Sequence, residues 1–445
     1  AWIERKIPPE QADRIAALNL RGIYFQREGG RFYPKRDLAS SVLGYVDIDE
    51  KGLGGIEYSL DDVIRTRPQK RLILADAHRR WVDSADRALD TGTSVVLTLD
   101  ENIQFIAEKE LAQAIHDTQA ISGTIIVENP NNGELLAVAN WPTFNPNDAR
   151  DSPPSARTDR AVSTMYEPGS VFKIVTLSAA IDQGLTRPDE VVNCQEGAIY
   201  IDGHRIRDHK AYGLLTVSQI LANSSDVGAI KLGLRLGGPR FYKYIRAFGF
   251  GQSTGVDLPG ETRGMLRRLD NWTPVSVGSI SMGQEVGVTP LQMINAVSAI
   301  ANGGLIDRPH VIRALRHGTQ LEETPETLPR RVIRETTAAT MRRMMEGVVL
   351  NGTGKLARLD GYTSAGKTGT AQKFDINTGH YFAHKLIASY VGFAPINNPA
   401  ITILVQLDSP VGPHDGGQVA APVFKRIAQQ VLPYLNVPPD VPVDT

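Results

Sequence analysis

Ser170 and Lys173 stand three residues apart in the stretch MYEPGSVFKIVT, residues 165–176. On a helix that spacing puts both side chains on one face, where the lysine amine can reach the serine hydroxyl. The pair then has the parts of an activated nucleophile: a hydroxyl, a base in reach, and a helix N-terminus whose dipole favours an alkoxide. The Ser170 amide, in the first turn, is free to donate to a developing oxyanion. Gly169 beside it would let a substrate approach closely. A chain of this size contains about one S-x-x-K by composition alone, and the plain alternative is a helix that merely begins there.

Two further stretches change that weighing. ANSSDVGAIKL carries Ser224, and SAGKTGTAQ carries Lys367 at the start of an expected strand. On an edge strand, the run Lys367-Thr368-Gly369-Thr370 would offer a carboxylate-bearing substrate a charge and two hydroxyls. Gly369 would remove a side chain where a peptide lies close, and the Thr370 amide would complete an oxyanion hole with that of Ser170. The plain alternative is a solvated strand end. Other candidates carry less. His380 and His384 in HYFAH have ligand-like spacing but no third ligand, and they fall between expected strands. Glu167 reads as a cap or ion-pair partner, and Cys194 as a small buried residue. No metal or cofactor is expected.

The elements that must position these residues are legible in outline. VVLTLDENIQFIAEKELAQAI reads as a strand and then a helix capped by Asp100, with Ile103, Leu111 and Ile115 on its buried face. GTIIVENPNNGELLAVANWP is a hairpin, and ASYVGFAP with AITILVQL around INNP is a second. A helix from Pro422 turns Val423, Ile427 and Val431 inward. Between the hairpins lies a long helical middle, about residues 155–350. This predicts an α+β fold, an antiparallel sheet flanked by helices with an added helical subdomain. Residues 1–92 read as a smaller N-terminal α+β module: a hairpin in IYFQREGGRFYP turning at Gly29-Gly30, a helix in GLGGIEYSLDDVIR, a mixed strand in QKRLILADAHRRW and a polar linker, SADRALDTGTS. The main domain would run over 93–435, and the Pro-rich end, 436–445, would be a disordered tail.

The 445 residues are 41% hydrophobic and 22% charged, ordinary for a globular chain of two or three domains. A net charge of -1, with both signs interspersed, provides no field for nucleic acid. A single cysteine excludes an internal disulfide framework. No apolar run reaches the roughly 18–20 residues of a membrane span.

S-x-x-K, a serine triplet and K-T-G, in that order, form the signature of penicillin-binding proteins and related β-lactamases. With NPNNGELLAVANWPTFNPN, GQEVGVTPLQMINAVSAIANGG and GGQVAAPVFKRIA added, the chain resembles the class B penicillin-binding proteins over nearly its whole length. MYEPGSVFK followed by AAIDQGL is similar to the cell-division type, FtsI or penicillin-binding protein 3, more than to the elongation type. The resemblance implies a D,D-transpeptidase on which Ser170 attacks the D-Ala-D-Ala end of a peptidoglycan stem peptide. A second stem's amine would then take the acyl group. Lys173 would be the base, neutral for part of the time through burial and the nearby Lys367 charge. Ser224 would relay a proton to the leaving amine. Lys367, Thr368, Gly369 and Thr370 would hold the substrate, and β-lactams would acylate Ser170. Further implications are one membrane span ahead of Ala1, an extracytoplasmic catalytic domain, a membrane glycosyltransferase partner and divisome proteins.

One position departs from the pattern. The family usually has S-x-N, whereas this chain has Ser224-Ser225-Asp226. An Asn donates toward the substrate amide; an ionised carboxylate only accepts. Asp226 is therefore the doubtful member of the substrate-binding set. Rival readings share the motifs: a class A β-lactamase, for which the E-x-x-L-N loop is missing, a class D-type enzyme or β-lactam sensor, and a catalytically impaired structural homologue.

Overall fold

A computed structural model describes residues 2–26, 28–65, 92–375 and 378–442. The expected mixed strand at residues 69–81 and most of the linker lie outside the described residues.

The centre is an antiparallel sheet of five strands, β1 (Ser122–Glu128), β2 (Leu135–Trp141), β3 (Ala365–Asp375), β4 (His380–Ala394) and β5 (Ile401–Asp408). Their order is β3-β4-β5-β1-β2. The two hairpins read from the sequence therefore join along the β5–β1 seam, with Leu404 opposite Ile126. Both seam strands are buried on both faces, which is why their sequences run apolar instead of alternating. β3 is an edge strand, leaving one side of the Lys367–Thr370 run without a strand partner.

Seven helices bear on the site: α1 (Glu101–Thr118), α2 (Lys173–Asp182), α3 (Val217–Asn223), α4 (Asp226–Leu236), α5 (Pro290–Ala301), α6 (Glu335–Asn351) and α7 (Ala421–Tyr434). The Asp100 carboxylate starts α1 by accepting the amides of Asn102 and Ile103 at 2.9 and 3.1 Å. α1 and α7 cover one face of the sheet, packing Leu111 and Phe424 into a core with Ile125 and Leu407. Truncating such a buried Leu to Ala costs about 2–5 kcal/mol. α5 lies on the other face with every residue buried, so it is mostly apolar or small, and its Gln292 and Asn295 amides donate to backbone carbonyls. A reciprocal capping box between Thr289 and Gln292 starts it. α2 shares that larger core, where Phe172 meets Phe250 with ring centroids 5.1 Å apart.

The N-terminal module is thin. Its helix Pro9–Ala17 buries no residue. It is tied to the main domain by paired bonds between Asn147 and the Tyr33 backbone, and by the Ala39 amide on Glu108 at 2.7 Å.

Three expectations are corrected. No strand forms among the described residues around Gly29-Gly30; Tyr24 and Phe32 stay exposed, and a two-stranded ribbon without a third layer is marginal. The tail is anchored as far as residue 441: Asp440 accepts the amide and the hydroxyl of Thr363, the Val441 amide donates to the Gly361 carbonyl, and Tyr362 donates to the Val437 carbonyl. The helical middle also holds short ribbons, such as Ala198–Ile201 paired with His204–Arg207. Among the described residues no helix is long and apolar enough to cross a membrane.

Candidate active site

Ser170 sits in a 3-10 turn, Gly169–Phe172, that runs directly into α2, whose first residue is Lys173. Gly169 has φ +53, left-handed backbone that a side chain would strain. A Cβ there would meet Ala371 of β3 at 3.1 Å, so this glycine serves the turn and its packing on the edge strand, not substrate approach. Gly369 is corrected likewise. Its Cβ would fall 2.5 Å from Ser389 Oγ and 2.6 Å from Val171, so the missing side chain lets β3 lie close to the Ser170 turn.

Ser224 ends α3 in left-handed conformation, φ +62, with α4 beginning two residues later. That reversal aims its side chain at both lysines. Lys173 Nζ lies 2.9 Å from Ser170 Oγ, 3.1 Å from Ser224 Oγ and 2.5 Å from the Ser224 carbonyl. Lys367 Nζ donates to the same Ser224 hydroxyl at 2.9 Å and to the Thr368 carbonyl at 3.1 Å. Both lysines are fully buried. Burial, and then the Lys173 charge, push Lys367 well below the usual ammonium range, while Asp226 acts in the opposite direction. Asp226 Oδ1 lies 2.8 Å from Lys173 Nζ, so the atypical carboxylate is the lysine's ion-pair partner.

Ser170, Lys173, Ser224, Asp226 and Lys367 are thus brought into one cluster. Thr368 meets Thr353 hydroxyl to hydroxyl at 2.6 Å, and Thr370 Oγ1 accepts the Gly416 amide at 3.1 Å. His380 and His384 do not join them. Both lie on β4, not between strands, where residues four apart are separated by about 13 Å. Glu167 accepts the Glu285 amide and the Tyr381 hydroxyl, each at 2.9 Å, and so braces the loop before Ser170 against β4. Burial raises its carboxyl above the usual range. Cys194 is buried.

Two contributors have no motif. Asp208 accepts the amides of Asp226 and Val227 and the Ser225 hydroxyl, at 2.5, 2.9 and 2.7 Å, fixing the start of α4 and with it the Ser224 turn. Thr353 backs the K-T-G strand, and only the Gly-Thr-Gly turn signal around it could have drawn attention there.

A nucleophile, a lysine in contact with it and a hydroxyl bridging two buried amines is the machinery of serine acyl transfer. Residues 123–429 match the family described as penicillin binding protein transpeptidase domain, and residues 2–97 match the penicillin-binding protein dimerisation domain. The chain belongs to the penicillin-binding protein transpeptidases. Stage V sporulation protein D of Bacillus subtilis is 37% identical over 98% of this chain and 69% of its own length. Peptidoglycan D,D-transpeptidase FtsI of Escherichia coli is 32% identical over 99% of this chain and 73% of its own. The crystal structure of penicillin-binding protein 3 from Mycobacterium tuberculosis in complex with ampicillin is similar at TM-score 0.83 and 36% identity, covering 93% of this chain and 92% of that one. This penicillin-binding protein therefore has the family's α+β transpeptidase fold with its N-terminal module, and it is a serine-type D,D-transpeptidase.

Proposed function

We propose that this transpeptidase cross-links peptidoglycan stem peptides in septal wall synthesis, with Ser170 as the acyl carrier. The observation that carries the reading is the contact of Lys173 Nζ with Ser170 Oγ at 2.9 Å, continued through Ser224 to Lys367. In the first step Ser170 Oγ adds to the carbonyl between the two D-alanines, and its proton passes to Lys173 Nζ, 2.9 Å away. The amides of Ser170 and Thr370 receive the oxyanion. Ser224 relays the proton to the departing D-alanine nitrogen, while Lys367 and Thr368 hold the terminal carboxylate. The acyl-enzyme then reacts with an amine.

The septal role is supported by likeness to FtsI, and 37% identity to a stage V sporulation protein favours a role in sporulation as the second reading. The substrate lies outside the cytoplasmic membrane, which supports an extracytoplasmic domain anchored by an N-terminal span, working with a membrane glycosyltransferase and division proteins. β-Lactams should be inhibitors: the aztreonam and ampicillin complexes of the Mycobacterium tuberculosis protein support this.

Intact-protein mass spectrometry with benzylpenicillin tests the chemistry. The expected result is one stable adduct that is lost in Ser170→Ala; unchanged labelling of that variant would overturn the assignment. Depletion in cells tests the role, with filaments expected and rounded cells pointing to elongation.

A further inference from the structure

Both buried amines meet on Ser224, whose backbone is left-handed, a conformation that a residue with a side chain keeps only where its surroundings fix it. The turn it forms joins α3 to α4, and one surface loop, residues 208–212, grips both ends of that turn. On the α3 side the Tyr212 hydroxyl donates to the carbonyl of Asn223, the last residue of the helix, at 3.4 Å. On the α4 side Asp208 takes the amides of Asp226 and Val227 on Oδ1 and the Ser225 hydroxyl on Oδ2. This is more than an ordinary helix cap. Ser225 caps α4 by itself, accepting the Gly228 amide at 3.0 Å, and its own proton is then free to go to Asp208. Donors from three successive residues, beginning directly after Ser224, thus converge on one carboxylate.

The loop is itself held from outside α3 and α4. Asp208 directly follows the ribbon of Ala198–Ile201 and His204–Arg207, which is closed at its base by the Asp208 amide on the Gly197 carbonyl at 2.9 Å. The Gly197 amide donates to the Tyr212 carbonyl at 3.1 Å. Gly197 has φ +77, and a Cβ there would fall 2.7 Å from the Lys210 carbonyl oxygen, so the loop lies directly on it. At the far end of the ribbon Ile201 fills the space over Gly278, where a Cβ would fall 2.5 Å from its Cδ1.

We propose that Asp208 is a positioning residue for acyl transfer, and that the loop 208–212 clamps the turn between α3 and α4 so that Ser224 Oγ stays between the two lysines. The proposal rests on the transpeptidase reading above and extends its machinery to a residue that none of the motifs contains. Ser224 presents two atoms to Lys173, its carbonyl at 2.5 Å and its hydroxyl at 3.1 Å, and the same hydroxyl lies 2.9 Å from Lys367. A rotation of the turn alters all three contacts together. The base and the proton relay therefore both depend on where Asp208 holds the residues that follow Ser224. A displacement of about 1 Å in such a group can slow a reaction about 10²-fold. Tyr212 acts on the other end of the turn through a longer and weaker bond.

Acylation of the whole chain by benzylpenicillin, timed by intact-protein mass spectrometry, tests this in a double-mutant cycle with Ser224→Ala. Asp208→Ala should slow acylation about 10- to 100-fold. In the Ser224→Ala protein, which already lacks the bridging hydroxyl, the same substitution should cost at least about threefold less. Asp208→Asn should recover most of the rate, because its amide oxygen can still accept the two backbone N–H groups while its NH2 group donates to the Ser225 hydroxyl. A purely structural role would lower Tm without coupling to Ser224. Losses that simply multiply in the cycle, or an unchanged rate in Asp208→Ala, would overturn the proposal. Should Asp208→Ala fail to fold, Asp208→Glu, which keeps the charge and displaces it by one methylene, takes its place in the cycle. Failure of the wild type to be acylated at Ser170 would instead overturn the transpeptidase reading on which the proposal rests.

Discussion

Among the described residues two places enclose acidic or basic side chains almost completely, at 0–1% exposure, and they manage the cost in opposite ways. At the catalytic cluster Lys173 and Lys367 are fully enclosed, yet each is hydrogen-bonded, and Lys173 has a carboxylate at 2.8 Å. Glu128, at the end of β1, is equally enclosed, but neither of its carboxyl oxygens has a hydrogen-bond partner. The hydroxyl of Thr402, opposite it on β5, is also unpartnered, and only the Ser298 hydroxyl on α5 is near enough to ease the burial of the acid. Burial pushes the Glu128 carboxyl up to about 8, so it rests in the core as a neutral acid. A perturbed titration alone therefore does not mark a site. What marks it here is a shared hydroxyl joining two amines to a nucleophile.

The contrast can be broken by mutation. The largest effect is expected for Lys173→Ala, which removes the group in contact with the nucleophile; penicillin acylation should slow by about 10²–10⁴-fold, measured by stopped-flow. Glu128→Gln should leave that rate alone. A loss comparable to that of Lys173→Ala would abolish the distinction between the two places.

Stability should show the reverse. The folded value of Glu128 lies above the unfolded value of roughly 4.3, so the folded protein holds a proton that the unfolded chain releases between the two. That contribution is complete below the unfolded value and is lost as pH rises toward about 8, by roughly 1.4 kcal/mol per unit. Gln cannot ionise. Glu128→Gln should therefore flatten the fall in Tm from about pH 5 to 8 and be the more stable protein at the alkaline end. Parallel Tm profiles would show that the core does not feel this proton.

The smallest expected effect sharpens the catalytic side. Asp226 opposes the downward push on Lys367, so its charge favours the protonated state of that amine. Asp226→Asn removes that charge and offers the substrate a donor. The rising limb of the acylation pH profile should move to lower pH, and a shift of one unit would make acylation about tenfold faster on that limb. Coincident limbs would mean that the carboxylate does not tune Lys367.

Much of the scaffold was legible because it is local. Asp100 caps its helix and the Pro-Asn-Asn-Gly turn folds β1 onto β2 through contacts within a few residues, and the helical period alone puts Val423, Ile427 and Val431 on one face. The IYFQREGGRFYP stretch failed by the same measure: its turn signal is local, but a ribbon survives only with a layer to pack on. The glycines misled because a sequence shows a missing side chain without showing what fills the space, which at Gly369 is Ser389 and Val171.

By itself the sequence determined the chemistry available: one serine with a lysine a turn later, a second serine, a K-T-G strand and an aspartate where the family has asparagine. Helix and strand periods are enough to place each of these on its element. Only the tertiary structure decided that Ser224 bridges the two lysines, that Asp208 holds its turn and Thr353 backs its strand, and that Asp226 faces Lys173. Those contacts join segments far apart in the chain. They form only when the β5–β1 seam closes and α2, α3 and β3 meet around one buried volume, where the loss of water makes each polar partner count.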